Sequence, residues 1–323
     1  MPSFSKNYEA TGERSKSYDI WRKNLKSLPS NTYTSLTYID YTRLPHARVG
    51  TDWPIFELQC LLYPDVLSEN VQLSPAKMKL LLESGAFDVE LYKRLASSIG
   101  IPFYITVADY EMNNFLVYEA TREGKRTARK YTAQRFAENV INQEWDYDSR
   151  KATGYRGDNG LLRYGAWHRY ALSNRAYHID IDFVELRANS PVAVIEATQS
   201  NSHDLRKAFF DFMTRGFPQE AVLVQVSEGL SVPCFIIAYL KDMSQLFVVQ
   251  LNRDIVVMSD PLNRRRSELS KGFERQGDQR RIAQGKACSI LYEEGEDLLN
   301  DMLGTTWSQH FELGKYQEWL ENL

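Results

Sequence analysis

His178-Ile-Asp180-Ile-Asp182-Phe-Val-Glu185 and, shortly after it, Pro191-Val-Ala-Val-Ile-Glu196-Ala-Thr198 are the stretches whose reading decides the fold. In each, apolar residues alternate with polar ones over a strand-like length, and a turn containing Pro191 separates the two. Side chains at i and i+2 share a face of a strand, so Asp180 and Asp182 point together from the first, and Glu196 and Thr198 from the second. Paired as a hairpin, the strands bring two or three carboxyl groups to one end of a sheet. Hard oxygen donors gathered in this way suit Mg2+ or Mn2+.

The composition is that of a globular protein. The chain has 323 residues, 43% hydrophobic and 25% charged, enough for one large domain or two ordinary ones. It holds no apolar run of membrane-spanning length and begins without a signal-peptide pattern. Cys60, Cys234 and Cys288 are too widely separated for a zinc-pair spacing. A cytoplasmic protein with no membrane partner is the expectation.

An acid on one strand followed by Glu196-Ala197-Thr198 on the next resembles the PD-(D/E)xK nuclease superfamily, whose fold is called restriction-endonuclease-like. The resemblance implies an α/β unit, a small mixed sheet flanked by helices, holding a divalent cation against a phosphodiester. It implies Asp182 and Glu196 as catalytic metal ligands, with the Ala197 carbonyl completing the protein side. Asp180 is a further donor on the same face. Thr198 stands where the superfamily has lysine; Gln199, His178 and Lys207 are the groups placed to take over its part. Many members also carry an acid on the preceding helix. That helix is expected over Lys130 to Trp145, which makes the acid Glu138.

The order strand, strand, helical region, strand, strand occurs twice. Ile101-Pro-Phe-Tyr-Ile-Thr-Val-Ala108 matches Val232-Pro-Cys-Phe-Ile-Ile-Ala-Tyr239, with Pro102 on Pro233, Met112 on Met243 and Phe115 on Leu246. Upstream, Asp40 and Glu57 align with Asp182 and Glu196, and Gln59 again replaces the lysine. The reading is an internal duplication: a degenerate unit over residues 1–125, a unit with the metal site over 126–255, and a helical segment over 256–323 that is basic, then acidic.

A formal net charge of −3 conceals a segregation. Residues 121–175 hold twelve Lys/Arg against six Asp/Glu, residues 253–288 nine against five, and residues 289–323 one against eight. The basic segments are solvated faces or a nucleic-acid surface, DNA before RNA. Arg163, Trp167, His168 and Arg169 lie in a glycine-interrupted stretch that suits phosphate contacts with stacking, or an ordinary packed loop. Arg264, Arg265, Arg266, Arg275, Arg280 and Arg281 fall in a helical segment expected from Pro261, and are candidates to line a duplex groove. In the acidic tail Trp307, Phe311, Tyr316 and Trp319 are spaced for an apolar helix face that caps the domain or meets a protein partner. Three functions follow: a metal-dependent endonuclease of defence, mobile-element or repair type; an inactive relative that binds DNA or RNA; a structural subunit of an assembly.

Overall fold

A computed structural model describes residues 34–40, 58–61, 102–108, 113–119, 128–139, 180–187, 190–200, 203–215 and 219–323, with short pieces between 75 and 100. The chain is mixed α/β, with a four-stranded sheet of order β2-β3-β4-β5 and a six-stranded sheet of order β1-β6-β7-β8-β9-β10. Two compact units meet in sequence at Asp182 and Phe183, whereas the sequence pattern put a boundary at 125/126. Residues 256–323 belong to the second unit rather than forming a segment of their own.

β1 (Thr34–Asp40) and β2 (Leu58–Leu61) belong to different sheets. In the first unit β2 runs parallel to β3 (Phe103–Ala108), which turns back antiparallel into β4 (Asn114–Glu119). β5 (Arg129–Thr132) pairs antiparallel with β4 and passes directly into α1 (Ala133–Asn139). The sequence suggested helix from Lys130. Instead Tyr131 and Thr132, a β-favouring pair, complete the ladder on β4, and the helix begins one residue later. Phe136 anchors α1 with its ring stacked on Phe115 at 4.2 Å, and both are fully buried.

In the second unit β6 (Asp180–Arg187) and β7 (Ser190–Ser200) are antiparallel. Pro191 lies inside β7, opposite Leu186, rather than in the turn. A bulge at Glu185/Leu186 interrupts the ladder there, which is where a strand accommodates a residue with no N–H. α2 (Leu205–Met213) and α3 (Gln219–Leu230) then carry the chain over to β8 (Cys234–Leu240), parallel to β7. Asp204 caps α2 by accepting from the Lys207 N–H at 2.9 Å. β9 (Gln245–Leu251) returns antiparallel through a turn in which Met243 adopts φ 61.

Three helices separate β9 from the next strand: α4 (Arg253–Arg275), α5 (Arg280–Glu294) and α6 (Glu296–Gly304). α4 starts at Arg253, capped by Asn252, and contains Pro261 instead of beginning there. The proline is tolerated because it faces outward with Val257, 52% exposed, so the carbonyl left without its helical donor is open to water. β10 (Ser308–Glu312) pairs with β9, and α7 (Leu313–Glu321) ends the chain.

The two sheets repeat one register. Ala108 faces Phe115 as Tyr239 faces Leu246, and Phe115 faces Tyr131 as Leu246 faces Phe311. Each last strand leads straight into a helix whose buried aromatic, Phe136 or Tyr316, stands five residues beyond that pair. α1 thus stands after the last strand of the four-stranded sheet as α7 stands after the last strand of the six-stranded one. The register also moves the match upstream. Leu58 faces Phe103 as Val194 faces Cys234, so Cys60, not Glu57, corresponds to Glu196. Glu57 itself lies outside the described residues.

Both faces of the larger sheet are covered. On one, Phe209 of α2 meets Phe247 edge-on at 6.1 Å. On the other, Phe235 packs against Trp319 of α7 at 5.1 Å and Trp307 at 6.0 Å. α4 and α5 form a further layer behind α2, through Tyr292 on Phe210 at 5.5 Å and the Arg266–Asp211 ion pair. Among the described residues no helix is long and apolar enough to cross a membrane.

Candidate functional site

Glu196 stands mid-strand in β7, opposite Ile236 of β8, on the face that bears Val194 and Thr198. Only 6% of it is exposed, and Thr198 is buried beside it at 7%. The amide of Gln219, the first residue of α3, donates from Nε2 to Glu196 Oε1 at 2.6 Å. Cys234, fully buried on β8, has its thiol pKa pushed up by burial and further by the Glu196 carboxylate. Such a thiol stays protonated and inert. Glu185 is also buried, but it stands opposite Ala193, on the other face of the ladder from Glu196.

Phe183 faces Ile195 and Val184 faces Val194 in the β6–β7 ladder. The side chains of Asp180 and Asp182 lie outside the described residues. Among those described, no group of three or more His, Cys, Asp or Glu is gathered to hold a metal. Ala197 stands opposite Ile237 in the β7–β8 ladder. Glu138 is exposed on α1 in the first unit, where it accepts from Gln134 at 2.9 Å.

Lys207 is committed elsewhere. Its ammonium donates to Ser289 Oγ at 3.2 Å and sits 5.6 Å from the centre of the Tyr292 ring, both on α5. With Gln199 and His178, it is one of the three groups that the sequence offered for the missing lysine's task. Gln219, which does reach Glu196, carries no signal in the sequence. It lies 23 residues downstream, past an interrupted helical stretch, and only the packing of α3 on β7 brings it back.

The arginines expected to form one basic surface divide in two. Arg266 is buried, its guanidinium 2.7 Å from Asp211 Oδ1, with further bonds to the Asp211 carbonyl at 2.9 Å and Thr214 Oγ1 at 3.0 Å. It ties α4 to α2 and is not part of a surface. Burial alone would raise the Asp211 carboxyl, but Arg215 and Arg266 beside it hold it below the usual carboxylate range. Cys288 nearby is pushed up to about 11 by burial and by Asp211. Arg264 pairs with Asp260 one turn away, and Arg265 lies 4.0 Å from Glu268. Arg275 and Arg280 are exposed, and Arg281 is in α5 with its side chain outside the described residues. Arg163, Trp167, His168, Arg169 and His178 all lie outside the described residues.

The acidic C-terminal helix spends its apolar face within its own unit. Trp307 and Trp319 stack at 5.5 Å, Phe311 lies 5.6 Å from Trp319, and Tyr316 is fully buried. Comparison of the chain with protein-family models, with curated proteins and with solved structures finds no match.

Proposed function

We propose that the β6–β7 region is the metal-holding centre of a nucleic-acid phosphodiesterase of endonuclease type, with Asp182 and Glu196 as its paired carboxylates. One observation carries this reading. The register that sets Phe183 against Ile195, continued by one residue, would set Asp182 against Glu196. Opposed residues of an antiparallel ladder have their Cβ atoms roughly 4.5–5.5 Å apart on one face, within reach of a single ion. Glu196 is buried, and a divalent cation on its face would balance its charge there. Bound Mg2+ or Mn2+ would supply Lewis-acid polarisation of the phosphate and a more acidic water. The chain's own part is to fix Glu196 through the Gln219 amide and to line its face with Thr198.

A second reading is a nuclease-like unit that binds DNA or RNA without cutting it. The engagement of Lys207 with Ser289 and Tyr292 favours it, because the lysine offered in place of the superfamily's is occupied. The test is incubation of plasmid, single-stranded DNA and RNA with the protein in Mg2+ or Mn2+, beside Asp182→Ala and Glu196→Ala. Cleavage lost in both variants supports the hydrolase. Equal cleavage by all three proteins sinks it. No cleavage, with salt-sensitive binding retained, transfers the conclusion to the second reading.

A further inference from the structure

The helices α4 to α6 are additional to the repeated pattern, since β4 and β5 are joined by residues 120–128 alone where β9 and β10 are separated by α4 to α6. We propose that the turn between α4 and α5, with the flanking ends of both helices, is a surface that binds the phosphate backbone of nucleic acid, separate from the metal-holding strands. It rests on the reading of the protein as acting on nucleic acid, but not on its cutting anything.

Residues 271–286 carry five Lys/Arg and two Asp/Glu. One of the acids, Asp278, is taken by Lys286 at 2.8 Å. Lys271, Arg275 and Arg280 are exposed and form no ion pair among the described residues. The other arginines of α4 differ: Arg253 pairs with Glu228 at 2.6 Å, Arg264 with Asp260, Arg266 with Asp211. On α4 and α5 the cations in no ion pair among the described residues are thus Lys271, Arg275 and Arg280, and Glu274, exposed between Lys271 and Arg275, is likewise in none. Lys271 and Arg275 stand one helical turn apart, and Arg280 opens α5 just past Gly277, whose φ of +98 reverses the chain.

The patch also has relief. Beside Lys271 and Arg275 lies a shallow hollow of about 210 Å³ lined by Arg265, Glu268, Leu269, Gly272, Phe273 and Gln276. A Cβ at Gly272 would meet nothing within 4 Å, so the space beside it is open. The hollow is lined by apolar Leu269 and Phe273 with one cation, Arg265, and one acid, Glu268. With Lys271 and Arg275 flanking it, it suits a sugar–phosphate strand, the flanking cations for the phosphates and apolar contact for the sugars. Acidic proteins match the charge but not the narrow, evenly charged form, so nucleic acid is the occupant chosen. Cations without a counter-charge release the ion atmosphere of a phosphate chain on contact, which makes such binding fall steeply with salt.

The test is fluorescence anisotropy of the full chain with labelled duplex DNA, single-stranded DNA and RNA, in EDTA, over a range of salt. The Lys271→Glu/Arg275→Glu/Arg280→Glu triple variant is expected to bind at least tenfold more weakly. Its log K against log salt slope on duplex is expected to fall by about 2 to 3, at roughly 0.9 per lost phosphate contact. Arg264→Ala, whose charge Asp260 already balances, is expected to bind as wild type. Arg280→Glu alone guards against misfolding, since an acid in the first turn of a helix favours it, and it too should lower affinity. Wild-type affinity and slope in the triple variant would overturn the proposal. So would no binding by the wild type, or an Arg264→Ala loss as large as that of Arg280→Glu. Because EDTA removes divalent ions, a failed cleavage assay leaves this result standing.

Discussion

Gln219 Nε2 lies 2.6 Å from Glu196 Oε1, joining the first residue of α3 to the middle of β7. A hydrogen bond of this kind orients a metal-ligating carboxylate in one setting and merely satisfies a buried acid in another. Gln219→Ala tells them apart. Partners that orient ligands are worth about 10–100-fold in metal affinity, and that loss is expected for Mn2+ binding followed by calorimetry. A variant that binds Mn2+ as wild type, yet unfolds more easily by about 1–3 kcal/mol, would assign the bond to stability alone.

Arg266 and Asp211 hold α4 onto α2, and the arginine side chain is only 10% exposed. Asp211→Asn leaves a buried guanidinium without its counter-charge and is expected to cost about 3 kcal/mol in urea unfolding at neutral pH. The Asp211 carboxyl is depressed in the folded state, so its contribution is fully present above the unfolded carboxylate range, near about 4, and is lost as pH falls through the lower folded value. Wild-type stability should therefore decline on acidification more steeply than that of Asp211→Asn. Parallel pH profiles would refute the assignment.

Two glycines ten residues apart respond in opposite ways. Gly285 sits within α5 with nothing near a Cβ, so Gly285→Ala is expected to stabilise by about 0.5–1 kcal/mol through helix propensity. At Gly295 a Cβ would lie 2.7 Å from the Leu291 carbonyl oxygen, and Gly295→Ala should destabilise instead. Thermal melts of the two variants check both signs.

Phe136 and Tyr316 stand at matching register positions beyond the last strands of the two sheets and are both fully buried. Phe136→Ala and Tyr316→Ala are each expected to remove about 3–5 kcal/mol, each from its own unit. Hydrogen exchange read separately over the two units would show where each loss falls. A negligible cost at either site would count against equivalent anchoring of α1 and α7.

Alternation and turn chemistry made the central strands legible. β3 to β4 and β8 to β9 were visible from their shared proline and equal spacing, and the register matches them residue for residue. Local pattern failed where distant contacts decide. Tyr131 and Thr132 are strand only because β4 offers them a partner, and Pro261 stays helical only because its face is wet. Nothing in the run Arg264-Arg265-Arg266 reveals that the third turns inward, since that depends on where Asp211 of another helix has been placed. The metal-centre expectation rested on strand parity. Parity gives the face and the register of Glu196 but not its partner, because Gln219 arrives by packing.

The inserted helices leave β9 and rejoin the sheet almost at one point. The Gln250 N–H donates to the Trp307 carbonyl at 2.9 Å, and Thr306 Oγ1 donates to the Gln250 carbonyl at 2.7 Å. Where two ends lie that close, lengthening the excursion adds little closure entropy, only about 0.6 kcal/mol for each doubling. The faces of α4 and α5 that pack on α2 through Arg266 and Tyr292 are fixed by that contact, but the α4–α5 turn lies outside it, so residues added or removed there are expected to leave the strands as they are.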